Sequence, residues 1–229
     1  MNEDVPLEKN SYHDQLAKDP LTGVQIRIGI MGSADGQAEP AVLELCRRLG
    51  WAVAENGCCL LTGACPGLPL AAVLGAKELG GHVVGISPAA NLKEHVEVLH
   101  SPYEEYDVLV FTGLGLMGRE LINIRSSDIV LVVGGRSGTL GEFAIAYEEG
   151  KLIGVLTGTG GITAALPVLE ASIGKSTGSE VIYGAEPEEL IKELLRAIRI
   201  GELRLPLPSE CDGQQELDRV FERGGQVDW

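Results

Sequence analysis

The chain has 229 residues, 45% of them hydrophobic, with a formal net charge of −15 and a pI near 4.6. That length suits one domain around one sizeable core, and the acidic balance repels nucleic-acid phosphates and anionic membranes, so neither is an expected partner. No apolar run reaches the roughly 18 residues a membrane span needs, and the opening Met1-Asn2-Glu3-Asp4 is acidic, so a cytoplasmic protein is expected.

In chain order, residues 1–22 read as a flexible leader, 23–203 as the body and 204–229 as a polar tail, because both ends lack sustained periodicity. Short β-branched runs at 26–31, 58–62, 82–87, 107–112, 128–133, 152–156 and 180–183 predict strands. Alanine-rich stretches at 38–49, 68–79, 119–126, 139–149 and 187–198 predict helices, with Pro40 and Pro187 near starts and Gly50, Gly80-Gly81 and Gly150 as stops. This alternation predicts an α/β fold: a doubly wound, mostly parallel, Rossmann-like sheet in a single domain. Cys46, Cys58, Cys59, Cys65 and Cys211 show neither a CxxC pair nor zinc-finger spacing, so buried thiols are expected and no metal.

In such a fold ligands bind beyond the carboxyl ends of the strands, and the residues there are glycine-rich. They are Gly32-Ser33-Ala34-Asp35-Gly36, then Thr62-Gly63-Ala64-Cys65-Pro66-Gly67, Gly113-Leu114-Gly115, and Gly134-Gly135-Arg136-Ser137-Gly138-Thr139. Single loops of this kind are often tight turns, but four on one rim point to a binding crevice. The run 113–118 is a literal G-x-G-x-x-G, yet the next strand ends in glycines rather than the acidic residue that holds a dinucleotide's ribose, and dinucleotide binding is disfavoured. No Walker A phosphate loop occurs.

The loop after the fifth strand has more content. The amides of Gly138 and Thr139 start a helix, where orphan N–H groups and the helix dipole attract a phosphate; Gly134 and Gly135 let it come close, and Ser137 and Thr139 add hydroxyls. Glu142, four residues after Gly138, stands on the same helix face and reads either as a carboxylate beside a sugar or as a complement to the dipole. Arg119 follows the neighbouring strand end and is directed to the same crevice, whereas Arg125 reads as a surface ion pair.

These residues resemble the LOG-type ("lonely guy") phosphoribohydrolases, Rossmann-like proteins often labelled lysine decarboxylases. That family carries G-G-G-x-x-G-L-M-G and, downstream, an arginine before P-G-G-x-G-T-x-x-E. Here "TGACPGLPL" at 62–70 takes the first place and Arg119 with "GGRSGTLGE" at 134–142 the second. Within the superfamily, "GISPA" and "VGGRSGTLGE" look closer to a branch resembling molybdenum-cofactor carrier proteins. The sequence departs from the family pattern at Gly134, Arg136, Glu120 and Gly67-Leu68-Pro69-Leu70.

The resemblance implies Arg119 and Glu142 as catalytic residues, and Gly32, Ser33, Thr62, Gly63, Gly67, Gly134, Gly135, Ser137, Gly138 and Thr139 as the phosphate and nucleotide cradle. Two functions stay open. One is hydrolysis of the base–ribose bond of a nucleoside 5′-monophosphate, with Glu142 near the anomeric carbon and no metal or bound cofactor. The other is a non-catalytic carrier or sensor of a phosphate-bearing nucleotide or pterin. Pyridoxal chemistry is rejected because Lys77, Lys93, Lys151 and Lys175 all fall away from the strand-end rim. A homodimer is expected by analogy and from Phe143, Ile145 and Ala146 on more than one helix face.

Overall fold

The computed structural model describes residues 17–19, 23–34 and 38–200. Seven strands run β1 (Arg27–Gly32), β2 (Cys59–Thr62), β3 (Val83–Ser87), β4 (Val108–Phe111), β5 (Ile129–Val133), β6 (Leu152–Leu156) and β7 (Glu180–Gly184). They form one sheet in the order β4-β3-β2-β1-β5-β6-β7, and every pairing is parallel. β2 and β5 are buried at every position, which is why they read as unbroken apolar runs rather than alternating ones.

Six helices cover the sheet: α1 (Pro40–Glu55), α2 (Leu68–Glu78), α3 (Gly115–Ser126), α4 (Ser137–Glu148), α5 (Leu166–Ile173) and α6 (Pro187–Ile200). α1, α2 and α6 enclose the larger core on one face, with Ile28, Ile30, Leu60, Leu131 and Leu156 at its centre. α4 and α5 enclose a second core around Val130, Val132, Phe143 and Ile153 on the other, where α3 packs beside α4. The predicted doubly wound parallel fold is therefore the observed one.

Several expectations need correction. Gly50 does not end α1; it lies inside it, because a Cβ there would run into the carbonyl of Ala72 on α2. Gly75 meets the Arg47 carbonyl in the same way, so the two helices cross backbone to backbone. α3 begins at Gly115, placing Arg119 one turn into the helix rather than at its start. α5 has no counterpart in the sequence reading: eight residues behind a glycine-rich loop offer too little periodicity. Phe143 and Ala146 are buried in the core, so they offer no surface to a second copy. Of residues 1–22 only 17–19 are described, and there the Ala17 amide donates to the Gly57 carbonyl and Lys18 bridges Gln25. The tail lies outside the described residues.

Candidate functional site

β1 and β5 lie side by side at the centre, and the chain winds outward from them in opposite directions, so the loops after them part and leave a crevice. The crevice is an open cleft of about 490 Å³, lined by Ser33, Leu68, Gly135, Arg136 and the loop Gly158-Thr159-Gly160-Gly161. Its walls brace each other. The Leu68 amide donates to the Ser33 carbonyl at 2.9 Å, and the Gly134 amide donates to Thr159 Oγ1 at 2.9 Å. The loop after β6 escaped the sequence reading although Thr157-Gly158-Thr159-Gly160-Gly161 carries the same glycine signal as the other four.

Next to this cleft, α3 and α4 bring Arg119 and Glu142 together, each 6% exposed, with Arg119 Nη1 3.6 Å from Glu142 Oε1. That distance is an ion pair but not a hydrogen bond. Arg119 Nε has no hydrogen-bond partner among the described residues. The guanidinium lies over Gly63, where any Cβ would collide with it, so glycine at 63 is what lets the arginine reach inward. Burial pushes the Glu142 carboxyl up to about 7; the Arg119 charge opposes the rise and Glu120 adds to it. Around the pair, burial raises the Cys65 thiol to about 11 and lifts the Tyr106 phenol above its usual range. Among the described residues no group of three metal-ligating side chains forms.

The profile of the SLOG cluster4 family matches residues 25–191. The chain belongs to this family. Its SLOG cluster4 domain is also similar to the molybdenum cofactor binding protein from the phototrophic bacterium Rippkaea orientalis, at 32% identity and a TM-score of 0.63 over 76% of this chain and 97% of that one. The molybdenum cofactor carrier protein from Chlamydomonas reinhardtii is 28% identical, with a TM-score of 0.59 over 75% of this chain and 99% of that one. DNA processing protein A from Streptococcus pneumoniae is 14% identical with a TM-score of 0.56, over 73% of this chain and 61% of that one. That last likeness is one of fold alone.

The SLOG cluster4 fold distributes the sequence-derived site residues unevenly. Ser33, Gly135 and Arg136 line the cleft, Gly134 stands behind it with its amide held by Thr159, and Ser137 and Gly138 are exposed on the first turn of α4. Arg119, Glu142 and Gly63 form the adjoining polar cluster. Four of them are packed into the scaffold. Thr62 is fully buried, its Oγ1 accepting from the Ala64 amide and standing 3.0 Å from the Tyr106 hydroxyl. Thr139 packs beneath Gly135, and Gly67 lets α2 start against the Ser33 backbone. Gly32 sits at the end of β1 against Val133. Glu142 is too far along α4, and too deep, to complement the helix dipole as a first-turn residue. Arg125 makes the expected surface ion pair, 2.8 Å from Glu149. The G-x-G-x-x-G run is split between an exposed turn and the start of α3, and none of it lines the cleft.

Proposed function

We propose that this protein binds a small molecule carrying a phosphate and a heterocycle, either a molybdenum-pterin cofactor as cargo or a nucleotide, and holds it without turnover. One observation carries the reading: a nearly buried arginine with an unpartnered Nε and a single long ion pair, beside a cleft rimmed by glycine amides. A buried guanidinium with idle donors is costly, and an oxygen-rich ligand supplies the missing acceptors. The phosphate sits at the first turn of α4, where Gly138 and Ser137 present helix-start amides. The likeness to molybdenum cofactor binding and carrier proteins supports cargo over product. In this reading the protein is cytoplasmic, pairs with a second copy, and engages neither nucleic acid nor membrane, in keeping with its −15 charge.

A second reading, N-glycosidic hydrolysis of a nucleoside 5′-monophosphate, is favoured by Glu142, whose carboxyl near 7 suits proton transfer at neutral pH beside a cation. Mass spectrometry of small molecules released on denaturing the purified protein identifies the bound ligand, with a pterin expected. Ribose 5-phosphate release from AMP, GMP or CMP, falling about a hundred- to a thousandfold in Glu142→Gln with binding kept, would replace the carrier by the hydrolase.

A further inference from the structure

A phosphate on the first turn of α4 leaves most of the neighbouring cleft unused. The cleft begins at Arg136, the residue just before that turn, and its volume of about 490 Å³ lies within the roughly 300–1,000 Å³ usual for a small-molecule site. A monophosphate would end where this space starts.

Two departures from the family pattern serve the cleft: Gly134, where that pattern has proline, and Arg136, where it has glycine. Gly134 takes a φ of +54°, which a proline ring forbids, and its amide, which proline lacks, donates to Thr159 Oγ1 at 2.9 Å. Thr159 in turn donates to the Leu156 carbonyl at 2.6 Å, and the Ile162 amide donates to the Gly135 carbonyl at 2.9 Å. The loop after β6 is thus clamped to the loop after β5 as a wall of the cleft. Gly158 and Gly160 keep that wall bare, with left-handed backbones and no atom within 4 Å of where a Cβ would stand. Arg136 is exposed and has a φ of −131°, open to any side chain, so arginine in place of glycine strains nothing and brings a cation to the cleft of a chain with net charge −15.

The start of α1 supplies the remaining chemistry. Glu39, just before that helix, is exposed, and Ala38 and Val42 beside it are half-buried; all three line the cleft. The cleft therefore offers a cation, a carboxylate and an apolar surface. The cation suits a second phosphate, the carboxylate accepts from sugar hydroxyls, and the aliphatic side chains suit the face of a ring. Phosphate alone does not fit this set, because Glu39 would repel it. We propose that the ligand carries a diphosphate and, beyond it, a second nucleoside held in this cleft, with the second phosphate on Arg136, the sugar on Glu39 and the ring against Ala38 and Val42. The proposal rests on the phosphate reading above and applies whether the first heterocycle is a nucleobase or a pterin. The G-x-G-x-x-G run has no part in it.

The test is titration calorimetry of the full chain with GMP, GDP and diguanosine 5′,5′-diphosphate, and with AMP, ADP and diadenosine 5′,5′-diphosphate, alongside melting temperatures. In at least one series the diphosphate is expected to bind about tenfold tighter than the monophosphate, and the dinucleotide about tenfold tighter again. Arg136→Gln is expected to erase the first step and Glu39→Gln the second, with little change in melting temperature because both side chains are exposed. A Glu39→Gln protein that binds the dinucleotide more tightly overturns the sugar contact, since the carboxylate would then only repel phosphate. Monophosphates that bind as tightly as the dinucleotides overturn the second subsite and leave the phosphate turn standing. No binding by any of the six overturns the cleft assignment, and the molecule released on denaturing the protein then decides the phosphate reading by itself.

Discussion

Glu142 is held between opposing influences: burial disfavours its charge, Arg119 favours it, and Glu120 opposes it. Its carboxyl rises to about 7, so the folded state binds a proton that the unfolded chain, near the ordinary carboxylate value of 4.5, has already lost. A raised folded pKa means that stability falls as pH climbs from about 4.5 to about 7 and levels off above. The gap corresponds to about 3 kcal/mol at most, from roughly 1.4 kcal/mol per pKa unit. Denaturant unfolding between pH 4 and 8.5 should show this decline in the ligand-free protein, and Glu142→Gln should flatten it; an equally steep decline in the variant would assign the effect to other groups. Arg119→Ala should move the midpoint of the same decline upward, because the one cation that holds Glu142 down is gone.

At the scale of elements, the crossing of α1 and α2 depends on the absence of two side chains. Gly50→Ala should gain the usual helix preference of roughly 0.5–1 kcal/mol yet lose more by driving a methyl into the Ala72 carbonyl, for a net loss of about 2 kcal/mol. A fall of about 4–8 °C in melting temperature is the expected readout. The first turn of α4 makes the opposite case. Gly138 is exposed with ordinary backbone angles, so Gly138→Val should keep the fold while covering the helix-start amides, and calorimetric affinity for phosphorylated ligands should fall at least tenfold. Unchanged affinity would remove the phosphate from that turn. These two glycines also mark what the sequence conveys. All seven strands were legible from short β-branched runs, most plainly β2, β5 and β6, where parallel strands buried on both faces are rich in Val, Ile and Leu, and Arg119, Gly63 and Glu142 were legible from motif spacing. Gly50 was misread as a stop because a glycine that ends a helix and one that admits a neighbouring helix look alike in one dimension. Glu120 was seen only as a departure from the family pattern, since its unpartnered oxygen exists only once α3 is set against α4.

For the molecule as a whole, charge and exposed apolar surface argue about where a second copy docks. β4 is an edge strand that exposes Val108 and Val110, and the chain runs from it into α3, which exposes Leu116, Met117 and Leu121, with Leu114 just before it. Between positions 108 and 118 no residue is charged, on a chain whose net charge is −15. Self-repulsion between copies is therefore weakest here, and apolar area removed from water contributes about 25 cal/mol per Å². The same helix turns Arg119 and Glu120 inward to the site, so pairing through its outer face would hold the site's framework rigid. A homodimer through α3 and β4 is expected, with light scattering giving about twice the 24.2 kDa chain mass at micromolar concentration. Met117→Asp, at a side chain 74% exposed, should leave the melting temperature of the isolated subunit intact while shifting the mass to that of the monomer, because two like charges would face each other across the symmetry axis. A wild-type chain that stays monomeric, or a Met117→Asp protein that stays dimeric, would place the contact elsewhere or remove it.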